Sequence, residues 1–299
     1  MSHLTSSSSS SSSRNHHDPR KASSSNVLPS TDNADAHEVT LVTLALQTLH
    51  TFDFYKNHPQ GAFQVLSLVR ECVIYCLDDE VRSIRKTATI TCCRICHRSL
   101  TDEQLLNTNQ LKNDLSTDTV ILDVLERLLM VGVADEMEAI RESVFKSITP
   151  RLDKFVAQCD NLTCLLEAIN DESVLVCSAA MSVIARLAYH SPNVIMPQLR
   201  KILVQLVRQL QQNEDGRLRE DSVILLTELI KGANILLKPY IETIRDPLIA
   251  QLDFPDVDAV AVAALGELSL VSSEHVAPYQ NVLLDKIVAL IDEKEGKKT

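Results

Sequence analysis

Between Asn170 and Leu210 the apolar positions fall twice into the spacing of a helix face. Leu199, Ile202, Leu203, Leu206, Val207 and Leu210 recur at i, i+3, i+4, i+7, i+8 and i+11, which gathers them on one side of an α-helix. Gln198, Arg200, Lys201, Gln205 and Arg208 fall elsewhere. Upstream, Val176, Ala180, Val183, Ile184 and Leu187 obey the same rule. Pro197 suits the first turn of a helix, where a missing N–H costs nothing. Two amphipathic helices are therefore expected to meet across His190 to Met196.

The pattern returns. A shift of 42 residues carries Pro197 to Pro239, and a further 39 carries Pro239 to Pro278. At the second shift Leu225 to Leu229 superposes on Ala264 to Leu268, and Ala180, Ser222 and Ala261 share one small-residue slot. A period of about 40 residues with two helices in each predicts an all-α solenoid of antiparallel helix pairs, of the HEAT or armadillo type. Such units bury their apolar faces against each other, so the core runs along the array.

Taken in order, Val39, Val42, Leu46 and Leu49 predict a helix over residues 38–54, the second helix of a pair whose first is missing. His58 to Gly61 is expected to break the chain before a first helix over Ala62 to Leu77, a turn at Asp78 to Ser83, and a partner helix opened by Ile84 and Arg85. A polar connector from Leu100 to Leu115 precedes a helix at Val120 to Val133, a turn at Asp135 to Arg141 and a second helix at Glu142 to Ile148, stopped by Pro150. Asn161 to Ile169 predicts one more first helix. The turns at Asp79 to Arg85 and Asp135 to Arg141 share the pattern D-x-x-x-x-I-R. Its physics is a helix-capping Asp, an Ile (Ile84, Ile140) that enters the core, and an Arg (Arg85, Arg141) that pairs with an acid of the neighbouring repeat. Later repeats lose it: Val176-Cys177, Leu218-Arg219 and then Val257-Asp258 stand in its place. The series closes on a first helix without a mate, Val276 to Ile291, whose Val282, Leu283, Ile287, Leu290 and Ile291 are expected to be uncovered. Residues 36–292 thus predict about five repeats, incomplete at both ends.

Composition agrees with a sheet-free fold. Among 299 residues aromatics make 4%, Trp is absent and only six are Gly. A net charge of −11 argues against the phosphate backbone of nucleic acid as the main partner, so any basic surface must be local. Residues 1–35, with Ser6 to Ser13 unbroken, predict a disordered tail. Residues 293–299 read as a polar end. No signal-type apolar segment or membrane-length run occurs, and the eight cysteines read as small buried hydrophobes, which predicts a reduced, cytosolic setting.

Candidate chemistry is sparse. Cys93 to His97 spells C-x-x-C-H, but mid-helix, with its cysteines toward a core and no export route to make haem attachment work. Cys72 and Cys76 lie one turn apart on the preceding helix, so a four-thiolate zinc site with Cys93 and Cys96 is the alternative to buried filler, and filler is the expectation. No phosphate-binding loop, nucleophile elbow, metalloprotease helix or kinase H-R-D or D-F-G element is present. The expectation is no catalytic residue, no cofactor and no metal. The positions that matter are then the repeat positions Ile84, Arg85, Ile140, Arg141, Cys177, Arg219, Pro197, Pro239 and Pro278.

The segments ALQTLHTFDF, DDEVRSIRKTA, DEMEAIRESVF, NLTCLLEAINDE, ARLAYHSPNVIMPQLRKILVQLV and KPYIETIRDPLIAQL, in that order from about Thr43 to Leu268, resemble the N-terminal HEAT region of the TOR (target of rapamycin) kinases. That family comprises very large serine/threonine kinases of the phosphatidylinositol-kinase-related class. The resemblance implies a scaffold segment that carries regulatory subunits such as Raptor-like proteins, a role in TOR signalling and growth control, and a cytoplasmic place that extends to the periphery of endomembranes. It implies no kinase activity for this chain, because the family's catalytic region lies far C-terminal of this one. Cys177 departs from the family pattern, which has the repeat Arg there. Competing readings are an independent HEAT adaptor, importin-like or phosphatase-scaffold-like, and a metal-binding protein built on the cysteine cluster.

Overall fold

A computed structural model describes residues 31–52, 59–100 and 114–296. The serine run and most of the polar connector after Leu100 lie outside the described residues. The chain divides into the units Met1–Glu38 and Val39–Thr299, and the helix pairs all lie in the second.

Every described element is helical, as the period requires. Five pairs of helices follow one another: α2 (Pro59–Glu71) with α3 (Arg82–Ser99), α4 (Asp114–Ala134) with α5 (Glu138–Ser147), α7 (Cys159–Ala168) with α8 (Val174–His190), α9 (Pro192–Gln212) with α10 (Gly216–Gly232), and α12 (Ile241–Ala250) with α13 (Asp258–Val271). A single helix, α1 (Thr31–Thr51), precedes them, and α15 (Gln280–Gly296) comes after. The short helices α6 (Asp153–Val156), α11 (Asn234–Leu237) and α14 (Ser273–Val276) fill connections. The second helices stack in the order α3, α5, α8, α10, α13, and first helices stack beside them, α2 on α4 on α7 and α9 on α12. This is an all-α solenoid.

The core lies between the layers. Leu66, Ile95, Leu125, Phe145, Leu165 and Met181 are fully buried in it, and one contiguous cluster of buried apolar side chains runs from Leu46 to Val276. Each such side chain contributes about 1.5–3 kcal/mol through burial. On α15, Val282, Ile287 and Ile291 are exposed while Leu283 packs partly against the core, and Leu290 is half-buried.

Several boundaries differ from expectation. Helix α1 starts at Thr31, inside the segment read as a tail. Pro59 begins α2 where a break was expected, since a proline fits the first helical position. The expected helix to Leu77 breaks at Cys72 and ends as a 3-10 turn over Val73–Asp78. The joint expected across His190 to Met196 shrinks to Ser191, and Pro197 lies inside α9. Pro192 takes the first-turn position instead. Pro197 is tolerated because it and Asn193, whose carbonyl it leaves without a helical donor, are both exposed, so water can satisfy that carbonyl. The matching prolines before α12 and α15, Pro239 and Pro278, do interrupt the helix, each within a 3-10 turn.

Candidate functional site

The chemistry-bearing residues gather at the joints where successive second helices begin. Asp79 does not cap α3 directly. It lies two residues before the N-cap, Val81, and its Oδ1 accepts the Val81 amide at 2.7 Å; Asp135 does the same for Met137 and Asp171 for Ser173, both at 2.8 Å. The carboxylate closes the tight turn, and the helix opens from it.

Four residues beyond each N-cap stands the repeat arginine. Ile84 and Ile140, one residue before it, are buried in the core. Arg85 folds its Nη1 back onto the Asp79 and Glu80 carbonyls at 3.0 and 3.1 Å. It then reaches forward to the next turn, donating Nε to Asp135 Oδ2 at 2.9 Å and Nη2 to Glu136 at 3.2 Å. Arg141 repeats the arrangement, with Nη1 on the Asp135 carbonyl at 2.8 Å, and Nε and Nη2 on the two oxygens of Asp171 at 2.8 and 2.9 Å. Asp135 is thus held from both sides. Its carboxylate takes Arg85 and its carbonyl takes Arg141.

These pairs are buried: the Arg85 and Asp135 side chains are 9% and 5% exposed, Arg141 and Asp171 7% and 8%. Hydrogen bonds to Asp135 and to Asp171 hold the two guanidinium groups firmly protonated. Burial pushes the Asp171 carboxyl up, but the Arg141 hydrogen bond and charge and the Ser173 amide outweigh it, and its pKa is lowered.

The remaining joints depart from this scheme. At α8 the arginine is Cys177, whose Sγ reaches only the inner acceptor, the Asp171 carbonyl, at 3.1 Å. Burial pushes its thiol up to about 11. At α10 the turn residue matching Asp171 is Asn213, and Asp215 caps the helix by accepting the Arg217 amide at 2.9 Å. Arg219 is buried, its guanidinium 3.9 Å from the centre of the Phe254 ring, and its Nε has no hydrogen-bond partner among the described residues. At α13 the polarity inverts, for Asp258 occupies the arginine's place and receives Lys286 from α15 at 3.3 Å.

A further pair, a half-buried arginine on a buried acid, escapes the periodic pattern. Arg186 on α8 donates Nε and Nη2 to Asp153 at 2.8–3.1 Å and Nη2 to the Ile148 carbonyl at 3.0 Å; Asp153 is wholly buried. Nothing in helical spacing links residues 33 apart. Asn161, in a sequence that reads as a glycosylation acceptor, is also buried and donates to the Phe155 carbonyl.

The cysteine cluster resolves into two environments. Cys92, Cys93 and Cys96 are buried, whereas Cys72 is exposed and Cys76 and Cys164 are half-buried, which corrects the reading of all eight as core. Cys72 and Cys76 differ because the chain leaves the α-helix there. Burial pushes Cys93 up to about 12 and raises Cys92 and Cys96, as it does for thiols enclosed in an apolar core. Among the described residues no three His, Cys, Asp or Glu side chains are grouped to hold a metal ion. His97 pairs through Nδ1 with Thr149 at 2.8 Å, and His50 with Thr91 at 3.2 Å. Burial, then neighbouring arginines, lowers the pKa of both.

Grooves open beside the joints: about 450 Å³ at the Arg85–Asp135 step, about 360 Å³ at Cys177, and about 510 Å³ between α3 and α5. The arrangement is suited to holding helices in register and to offering grooves to a partner.

No family model matches the chain. It is 34% identical over 235 residues, 78% of its own length, to the serine/threonine-protein kinase tor1 of Schizosaccharomyces pombe. It is 34% identical over 214 residues to serine/threonine-protein kinase TOR of Arabidopsis thaliana, and 35% over 272 residues to that of Oryza sativa subsp. japonica, 71% and 86% of its length. The chain spans about a tenth of the length of these relatives: 10%, 8% and 11%.

Proposed function

We propose that this chain, which corresponds in sequence to a segment of the TOR serine/threonine-protein kinases, is a non-catalytic HEAT-repeat scaffold that binds regulatory subunits of a TOR complex. The observation that supports this reading is the pairing of two facts. The similarity covers most of the chain but only about a tenth of each kinase, and the chain forms stacked helices in which Arg85 and Arg141 join neighbouring turns. A stacked array binds partners along its extended faces and grooves, and needs no reacting group to do so. Its partners would be Raptor-like subunits and the remainder of a larger kinase chain. The setting would be cytoplasmic, with a place at the periphery of endomembranes; among the described residues no helix is long and apolar enough to cross a membrane.

The test is capture by the tagged 299-residue chain from lysate of its own organism, with identification by mass spectrometry. Recovery of TOR-complex subunits supports the scaffold. Recovery of phosphatase catalytic subunits or transport cargo instead would favour an independent adaptor, and phosphorylation of a substrate by the purified chain would contradict the non-catalytic reading.

A further inference from the structure

The groove of about 510 Å³ between α3 and α5 differs in charge from the rest of the molecule. The chain carries 40 Asp and Glu against 29 Lys and Arg, yet among the described residues no acidic side chain lines this groove. Arg94, His97 and Arg98 enter it from α3, and Lys146 and Ser147 from α5, with Thr149 at the end. Burial first, and then the charges of Arg151 and Arg98 at His97 and of Arg94 and Arg98 at His50, lower the pKa of both imidazoles. Arg98 donates to the Phe52 carbonyl, and Lys146, whose ammonium has three donors, pairs with Glu142 one turn back. Arg94 is exposed and makes no ion pair among the described residues.

We infer that this groove docks a short acidic segment of a protein partner, its anionic oxygens held by the Arg94 guanidinium and by Lys146. The choice of a peptide follows from size and surroundings. Such a volume holds a few side chains, among the described residues no aromatic lines the groove to stack a base, and the strongly negative remainder of the chain repels an extended polyanion. Guanidinium and ammonium groups bind carboxylate and phosphate oxygens alike, and a phosphoserine brings about −1.5 to −2 charges to one point. The inference rests on the scaffold reading and adds a place and a chemistry to it.

Fluorescence anisotropy on the full chain, with a labelled peptide of alternating Glu and Ser, tests the site. Binding should weaken with added salt, tighten when one Ser is phosphorylated, fall at least tenfold in Arg94→Glu, and remain unchanged in Lys201→Glu, an exposed charge on α9. Circular dichroism of both variants shows that they fold. Equal binding of a peptide with Lys in place of Glu, no loss in Arg94→Glu, or displacement only by anionic vesicles or single-stranded oligonucleotide would overturn it. Loss of the groove with capture of TOR-complex subunits intact would sink this site and leave the scaffold standing.

Discussion

The joint between α5 and α8 and the joint between α8 and α10 perform the same task by different physics. At the first, Arg141 and Asp171 meet in a buried two-point ion pair at the start of the helices. At the second the arginine is Cys177, and contact is made by close approach: a Cβ added at Gly232 would lie 2.4 Å from the Ala185 Cβ. Ala188, three residues on and on the same side of α8, is also small and buried. A buried ion pair is costly to desolvate and adds little net stability, but it fixes register; apolar close packing stabilises and fixes register by shape. Loss of one repeat arginine is therefore tolerable where small residues let the backbones approach.

The sharpest way to break the comparison is Asp171→Ala, which leaves the Arg141 charge buried without its carboxylate. About 3 kcal/mol should be lost in urea unfolding. Gly232→Ala attacks the other joint by overpacking, with an expected loss of about 1–3 kcal/mol. If it cost nothing, α8 and α10 would not be held by close approach. The polar joint can also be rebuilt where it is missing, by Cys177→Arg with Asn213→Asp. The two together should be more stable than the sum of the single changes, by about 1 kcal/mol in a double-mutant cycle. Arg219→Met should have the smallest effect, within about 1 kcal/mol of wild type in either direction, because it trades a ring contact for relief of an unpartnered buried Nε.

Acid should affect the two joints unequally. The folded pKa of Asp171 is depressed, so its contribution is present above the unfolded carboxylate value of 3.8 and is lost as pH falls through the lower folded value. His50 and His97 are also depressed below 6.5, so the unfolded chain takes up these protons first and stability declines as pH drops below 6.5. Replacing His97 with Gln should flatten the decline that starts near 6.5, and Asp171→Asn the one below 3.8, both read from unfolding midpoints against pH.

The helices were legible because burial imposes a period on the sequence, and the first two joints because Asp79, Asp135, Ile84 and Ile140 stand at fixed distances from their arginines. The rest was set by partners far along the chain. Asp153 and Arg186 belong to different faces of different elements, and Lys286 answers Asp258 only because α15 folds back on α13. Pro197 misled because its cost depends on whether the freed carbonyl faces water, which one residue cannot reveal. The basic groove mixes residues 94–98 with 146–149, and becomes a site only when α3 and α5 lie side by side.

Hydrogen exchange read helix by helix on wild type, Asp171→Ala and Gly232→Ala tests the account of the joints most directly. In a stacked array each unit is held by its neighbours, so damage should centre on the altered step. Asp171→Ala should speed exchange mainly at the start of α8 and in α5, and Gly232→Ala mainly in α10 and the second half of α8. Uniform acceleration from α3 to α13 in both variants would mean that the two joints are not separately built, and would contradict the comparison.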